Sequence, residues 1–254
     1  MRATRISRFA LPLLLMTFCA APIYAGAPLQ ASPQDLAYQQ ALQNLNQGAS
    51  ALDLTLLTRA RETFQKLAAE HSSDAHDVYQ LARVDYYMGS YYEMIAKNKK
   101  TFEQAIDDAL RNAERAVQLE PDDSNAHALL GDLYGRKIGL GGIFAGMKYG
   151  PKGTEQMNQA VKLDPRNPYA YACLGRRYLF APRAFGGNIQ KAIESFKKAT
   201  ELDPTYDEGF VWLGIAYKTK GGASSARQDF NQALKIDPQN AQARIELKGL
   251  GGRK

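Results

Sequence analysis

The 254-residue sequence is poor in the side chains that most often carry chemistry: three histidines, two cysteines and one tryptophan. Cys19 falls in an N-terminal leader-like segment and Cys173 stands alone beyond it, so the chain behind that segment can close no intramolecular disulfide. His71 and His76 flank a Ser-Ser-Asp turn. With no His-x-x-x-His helix face and no remaining cysteine pair, no zinc site is expected. No Gly-x-x-x-x-Gly-Lys-Ser/Thr loop occurs, and the glycine pairs present do not follow a strand pattern, which excludes the usual phosphate cradles. Serine, histidine and aspartate are present without any triad-like arrangement. We therefore expect no catalytic residues, no cofactor, no metal and no enzyme.

The sequence also lacks an apolar run long enough to span a bilayer, about 20 residues. Its most apolar stretch, Phe9 to Ala21, is shorter and follows Arg2, Arg5 and Arg8. A basic start, a short apolar middle and small residues before Gly26 make the layout of an export signal. Cleavage is expected near Ala25, giving a periplasmic or secreted chain (26–254) with no stable membrane anchor. Phe18 before Cys19 argues against a lipid-attachment signal. Removing residues 1–25 lowers the formal charge from +6 to +3, too little to indicate nucleic acid without a clustered basic stripe. The one basic run, Lys97-Asn98-Lys99-Lys100, reads as a solvated helix junction.

A phrase recurs along the rest of the chain: Leu119-Glu120-Pro121, Leu163-Asp164-Pro165, Leu202-Asp203-Pro204 and Ile236-Asp237-Pro238, with prolines 44, 39 and 34 residues apart. Before each phrase lie two amphipathic stretches at helical spacing. In the last unit these are Phe210, Leu213, Gly214 and Tyr217, then Ala226, Phe230 and Ala233. The preceding unit repeats them as Tyr171, Leu174, Gly175 and Tyr178, then Ala192, Phe196 and Ala199. Upstream the pattern thins to His127, Leu130, Gly131 and Tyr134 with Gly153, Met157 and Ala160. It thins again to Tyr79, Ala82, Arg83 and Tyr86 with Ala109, Ala113 and Ala116, and a first divergent unit keeps Ala60, Phe64 and Leu67.

These residues closely resemble the tetratricopeptide-repeat (TPR) consensus over most of the chain. The resemblance implies an all-α fold, a right-handed superhelical stack of antiparallel helix pairs. The units run approximately over 34–70, 74–121, 124–165, 168–204 and 207–238, with a capping helix over 241–250. Each signature residue has a physical task. Gly131, Gly175 and Gly214 admit a close helix neighbour, the phrase prolines end the second helices, and Asn167 and Asn240 are N-cap candidates. Gly249 and Gly251 are expected to stop the capping helix.

Two insertions interrupt the units. Arg136 to Pro151 is rich in glycine and reads either as a flexible connector or as an apolar loop offering Ile143, Phe144 and Met147 to a partner or to the groove. Phe180 to Asn188 resembles the Pro-x-x-x-Gly-Gly turn of some periplasmic TPR proteins associated with solute transporters. With chemistry excluded, binding remains. The register of a TPR stack implies a concave lining that includes Gln80, Asn125, Asp132, Arg136, Tyr169, Arg176, Trp212, Ile215 and Lys218. Trp212 either packs against the capping helix or anchors an interface. Arg176 either anchors a carboxylate ligand or pairs with Asp132. The carboxylate clamp of chaperone-binding TPR domains is not matched, since Val84, Ala128 and Ala172 occupy three of its places. The expected function is a protein- or peptide-binding adaptor, the alternative a solute-handling component beside a transporter. Oligomeric state is not legible.

Overall fold

The computed structural model describes residues 33–251, so the expected export signal lies outside the described residues. Ten α-helices and no strand are present among those residues. The first hairpin is α1 (Pro33–Ala51) and α2 (Leu54–Glu70), the second α3 (Ala75–Met94) and α4 (Lys99–Leu119). Helix α5 (Ser124–Leu163) is itself a hairpin, broken at Gly142. The fourth pair is α6 (Pro168–Phe180) and α7 (Ile189–Leu202), the fifth α8 (Asp207–Lys220) and α9 (Ala223–Ile236), and α10 (Ala241–Gly251) closes the stack. The architecture is the right-handed TPR solenoid.

Local chemistry sets the helix ends. The side chains of Asp53, Asp74, Asn98, Asp123, Asn167 and Asn188 accept hydrogen bonds from backbone N–H groups of α2 to α7, satisfying donors that a helix start leaves open. The Leu/Ile-Asp-Pro phrases stop α5, α7 and α9, where Asp164, Asp203 and Asp237 leave helical geometry. Inside the pairs, glycine allows contact that any side chain would block. A Cβ on Gly175 would lie 2.5 Å from the Phe196 ring and one on Gly214 2.6 Å from Phe230. Phe196 and Phe230 are fully buried beneath these close approaches, and Phe64 of the first pair is fully buried against Tyr38.

Two expectations require correction. The first insertion is not a loop: its residues continue α5 in both directions from Gly142, whose φ of 63° and ψ of −144° turn the chain back. Glycine disfavours helix by about 1 kcal/mol relative to alanine, which is why the stretch reads as a connector. Tertiary contacts override that preference here, since Leu140 and Tyr149 pack on the core and Tyr149 stacks on Tyr134 at 5.6 Å. The second insertion keeps the turn expected of it, a single 3₁₀ turn, Arg183–Phe185, ended by Gly186 in the left-handed region. Gly249 does not stop α10, which continues to Gly251.

The coil closes on itself. Ser50 at the end of α1 donates a hydrogen bond to Asp237 beyond α9, and α1 touches α10. Across the interior, the Tyr87 hydroxyl of α3 donates to Glu208 of α8 at 2.7 Å. The first helices of the pairs thus face one another across a filled centre.

Candidate functional site

Five of the nine expected lining residues meet in that centre. Arg176, on α6, donates from Nε to Asp132 Oδ1 at 2.8 Å, and both side chains are at most 7% exposed. Its Nη2 lies 3.0 Å from Cys173 Sγ. The guanidinium also sits 5.2 Å from the Trp212 ring centre and 5.8 Å from that of Tyr169, within cation–π range. Arg136 reaches Glu93 at 3.1 Å and Ser90 at 3.0 Å and lies 4.2 Å over Tyr86.

The electrostatics follow from this packing. Burial alone would raise the Asp132 carboxyl, but Arg176, with Arg136 behind it, holds it below the ordinary carboxylate value. Burial pushes the Cys173 thiol up to about 12 despite Arg176 beside it, which disfavours the thiolate that a nucleophile needs. Of the two readings open for Arg176, the ion pair with Asp132 is the one present.

The other expected residues scatter. Gln80 is buried and accepts from Arg83 at 2.8 Å. Ile215 is buried in the core that α8 shares with α9 and α10, and Lys218 pairs with Glu246 of α10. Asn125 is exposed and accepts from Asn167 Nδ2 at 2.8 Å. An open lining is therefore corrected at Gln80, Asp132, Arg176 and Ile215, all buried: Asp132 and Arg176 are covered by each other and by the rings of Tyr169 and Trp212, and Ile215 by α9 and α10. Trp212 stacks on Phe196 at 6.4 Å and meets Phe180 edge-on at 5.9 Å. Its ring partners come from the fourth pair, not from the capping helix.

Sequence reading named Arg83 and Tyr86 only as repeat-signature residues and missed Tyr87 and Glu208; the four fill the centre from α3 and α8. The available signal was the crowding of Tyr79, Tyr86, Tyr87, Tyr91 and Tyr92 on one helix, more aromatic surface than a single buried stripe can absorb.

Two clefts open to solvent among the described residues, one of about 530 Å³ along the second half of α5, lined by Thr154, Glu155, Asn158 and Gln159, and one at the mouth of the coil. The second, of about 420 Å³, opens between the starts of α3, α5 and α6, where Tyr79, Asn125 and Asn167 face Glu120, Asp122 and Asp164. Among the described residues no group of three or more histidine, cysteine or acidic side chains is placed to hold a metal ion.

Comparison with known proteins places this geometry. The chain is 27% identical over 197 residues to regulator of microtubule dynamics protein 3 of Bos taurus, covering 69% of this chain and 41% of that protein. It is 26% identical over 156 residues to stress-induced-phosphoprotein 1 of Caenorhabditis elegans, covering 60% and 41%. The chain thus spans about two-fifths of the length of these relatives. Among solved structures, a thermophilic TPR protein of Thermus thermophilus superposes with a TM-score of 0.61 at 20% identity, covering 83% of this chain and 98% of that one. A monomeric mutant of IFIT1 with Gppp-AAAA gives 0.62 at 18% identity, covering 86% and 46%. At such identities these two likenesses establish the fold alone. Residues 37–249 match the family described as regulator of microtubule dynamics protein 1-3, and this TPR-type chain belongs to that family.

Proposed function

We propose that the protein is a non-enzymatic, extracytoplasmic adaptor that holds a segment of a partner protein, or an extended peptide, at the mouth of the coil. The observation that carries this reading is the acidic cleft beside a closed interior. Arg176 and Asp132 are paired and both buried, so neither side chain is open to a ligand outside the coil. The cleft instead presents the Asn125 amide and the carboxylates of Glu120, Asp122 and Asp164, with the buried Tyr79 and Asn167 side chains as its floor, a set suited to a cationic side chain on an extended backbone. Export is supported by Arg2, Arg5 and Arg8 ahead of the short apolar run.

The solute-handling alternative requires the two glycine-rich insertions to cover a pocket. Ile143, Phe144 and Met147 are instead 66%, 81% and 69% exposed, so the adaptor reading is preferred. Affinity capture from envelope extract tests it, comparing wild type with an Asp122→Lys, Asn125→Ala double variant. Partners held by the wild type should be lost from the variant while helicity is unchanged. An identical captured set would move the binding surface away from this cleft, and a small molecule co-purifying with the wild type would favour the alternative.

A further inference from the structure

Antiparallel pairs give the solenoid two rims, one where each first helix hands over to its second and one where the next pair begins. They differ in composition. Of the nine large apolar side chains that stand exposed among the described residues, six lie on the hand-over rim: Ile95, Ile143, Phe144, Met147, Phe180 and Phe185. Lys97, Lys100, Lys148, Lys152, Arg183 and Lys220 are interleaved with them, all exposed. None of these six cations has a carboxylate at ion-pair distance among the described residues. Both insertions lie in stretches without aspartate or glutamate, 133–154 and 165–193. The opposite rim carries Glu70, Asp74, Glu120, Asp122, Asp203 and Asp237.

The two insertions are neighbours. Arg177 donates from Nε to Thr154 Oγ1 at 2.9 Å, and its guanidinium lies beside Gly186. The second half of α5 and the 3₁₀ turn after α6 are therefore adjacent, with the hairpin end of α5 extending beyond them. Lys97 and Lys100, which read in isolation as a solvated junction, flank the same rim at the preceding pair.

We propose that this rim docks onto an anionic lipid surface. Ile143, Phe144 and Met147 enter the boundary between headgroups and acyl chains, Phe180 and Phe185 follow, and the lysines meet lipid phosphates. Apolar side chains on the projecting α5 hairpin, with cations and further aromatic side chains on the turns behind it, suit a charged surface with an apolar interior that the hairpin enters first. The acidic rim then faces away from the surface, repelled by the same charge. No helix among the described residues is long and apolar enough to cross a membrane, so the contact is peripheral. It uses a different face from the acidic cleft and does not depend on the adaptor reading.

Vesicle co-sedimentation of the full chain decides the matter, using phosphatidylcholine alone and phosphatidylcholine with about one-third phosphatidylglycerol. The anionic vesicles should bind the protein, and rising salt should release it. The Phe144→Ser, Met147→Ser and Lys148→Glu, Lys152→Glu double variants should each weaken binding by about tenfold or more. Independently of any contribution from the N-terminus, tryptophan emission of the Phe144→Trp variant should shift to the blue on anionic vesicles while that of the wild type does not. Absent sedimentation, an absent blue shift, or affinities unchanged in both double variants would overturn the proposal. So would variants that lose a protein partner while vesicle binding stays intact, which would make the rim a protein-docking surface.

Discussion

The centre of the coil and its hand-over rim break the usual rule of burial in opposite ways. In the centre, charged side chains are buried: Asp132 and Arg176 are each 5% exposed. On the rim, apolar side chains are uncovered, with Phe144 at 81% exposure. The difference lies in which neighbours are within reach. First helices of neighbouring pairs pack side by side in the centre, α5, α6 and α8 among them, so a charge there finds a partner and an aromatic ring. The α5 hairpin projects beside the pair α6 and α7, whose helices are only 13 and 14 residues long, too short to cover its end. Substitutions in the centre should therefore act on stability, and those on the rim on binding.

The sharpest test is Arg176→Ala. Removing one member of a buried ion pair strands the other, which typically costs about 3–5 kcal/mol. Urea unfolding should show a loss of that size, and Asp132→Asn in the Arg176→Ala background should recover part of it. A variant of unchanged stability that fails to bind a partner would reverse the comparison and return Arg176 to the ligand-anchoring role first considered for it. Next in size is Gly175→Ala, whose new methyl would meet the Phe196 ring at 2.5 Å. Overpacking of this kind costs about 1–3 kcal/mol, visible as a lower midpoint with unchanged slope.

Acid titration sharpens the contrast further. Burial raises the Asp207 carboxyl to about 6, although Asn240 donates to it. Between its ordinary value and about 6 the folded protein thus binds the proton more readily than the unfolded chain. This group's contribution to stability falls as pH rises through that window. Asp132, held low in the centre, acts in the other direction, and its contribution disappears as pH falls through its folded value. Stability curves recorded from pH 4 to 7 should lose the first component in Asp207→Asn and keep it in Arg176→Ala. The smallest effect belongs to the rim: Phe144→Ser should change unfolding free energy by no more than about 0.5 kcal/mol. A larger loss would mean that the rim has a structural neighbour after all.

The repeats, their glycines, their caps and their terminating prolines were legible because each depends on residues close in sequence or one helix away. Gly175 needs only Phe196 opposite, and Asn167 needs only the backbone of α6. The path of the first insertion was not legible, since seven glycines from Gly135 to Gly153 argue against helix locally. Only contacts such as Tyr149 on Tyr134 hold it there. The lining was legible as a set of first-helix positions but not as a surface. Whether Gln80 or Arg176 faces solvent depends on how far the coil winds, and that depends on small rotations accumulated over every pair.

By itself, then, the sequence determined the helical repeat, its register and the composition of each turn, because amphipathic spacing, capping and proline act over a few residues. Tertiary structure alone decided that the coil closes. Ser50 reaches Asp237 and Tyr87 reaches Glu208, contacts between residues more than a hundred positions apart that no local pattern encodes. That closure, with the packing of neighbouring first helices, filled the centre where an open groove was expected, and the acidic cleft and the apolar, cationic rim are the surfaces proposed to meet other molecules.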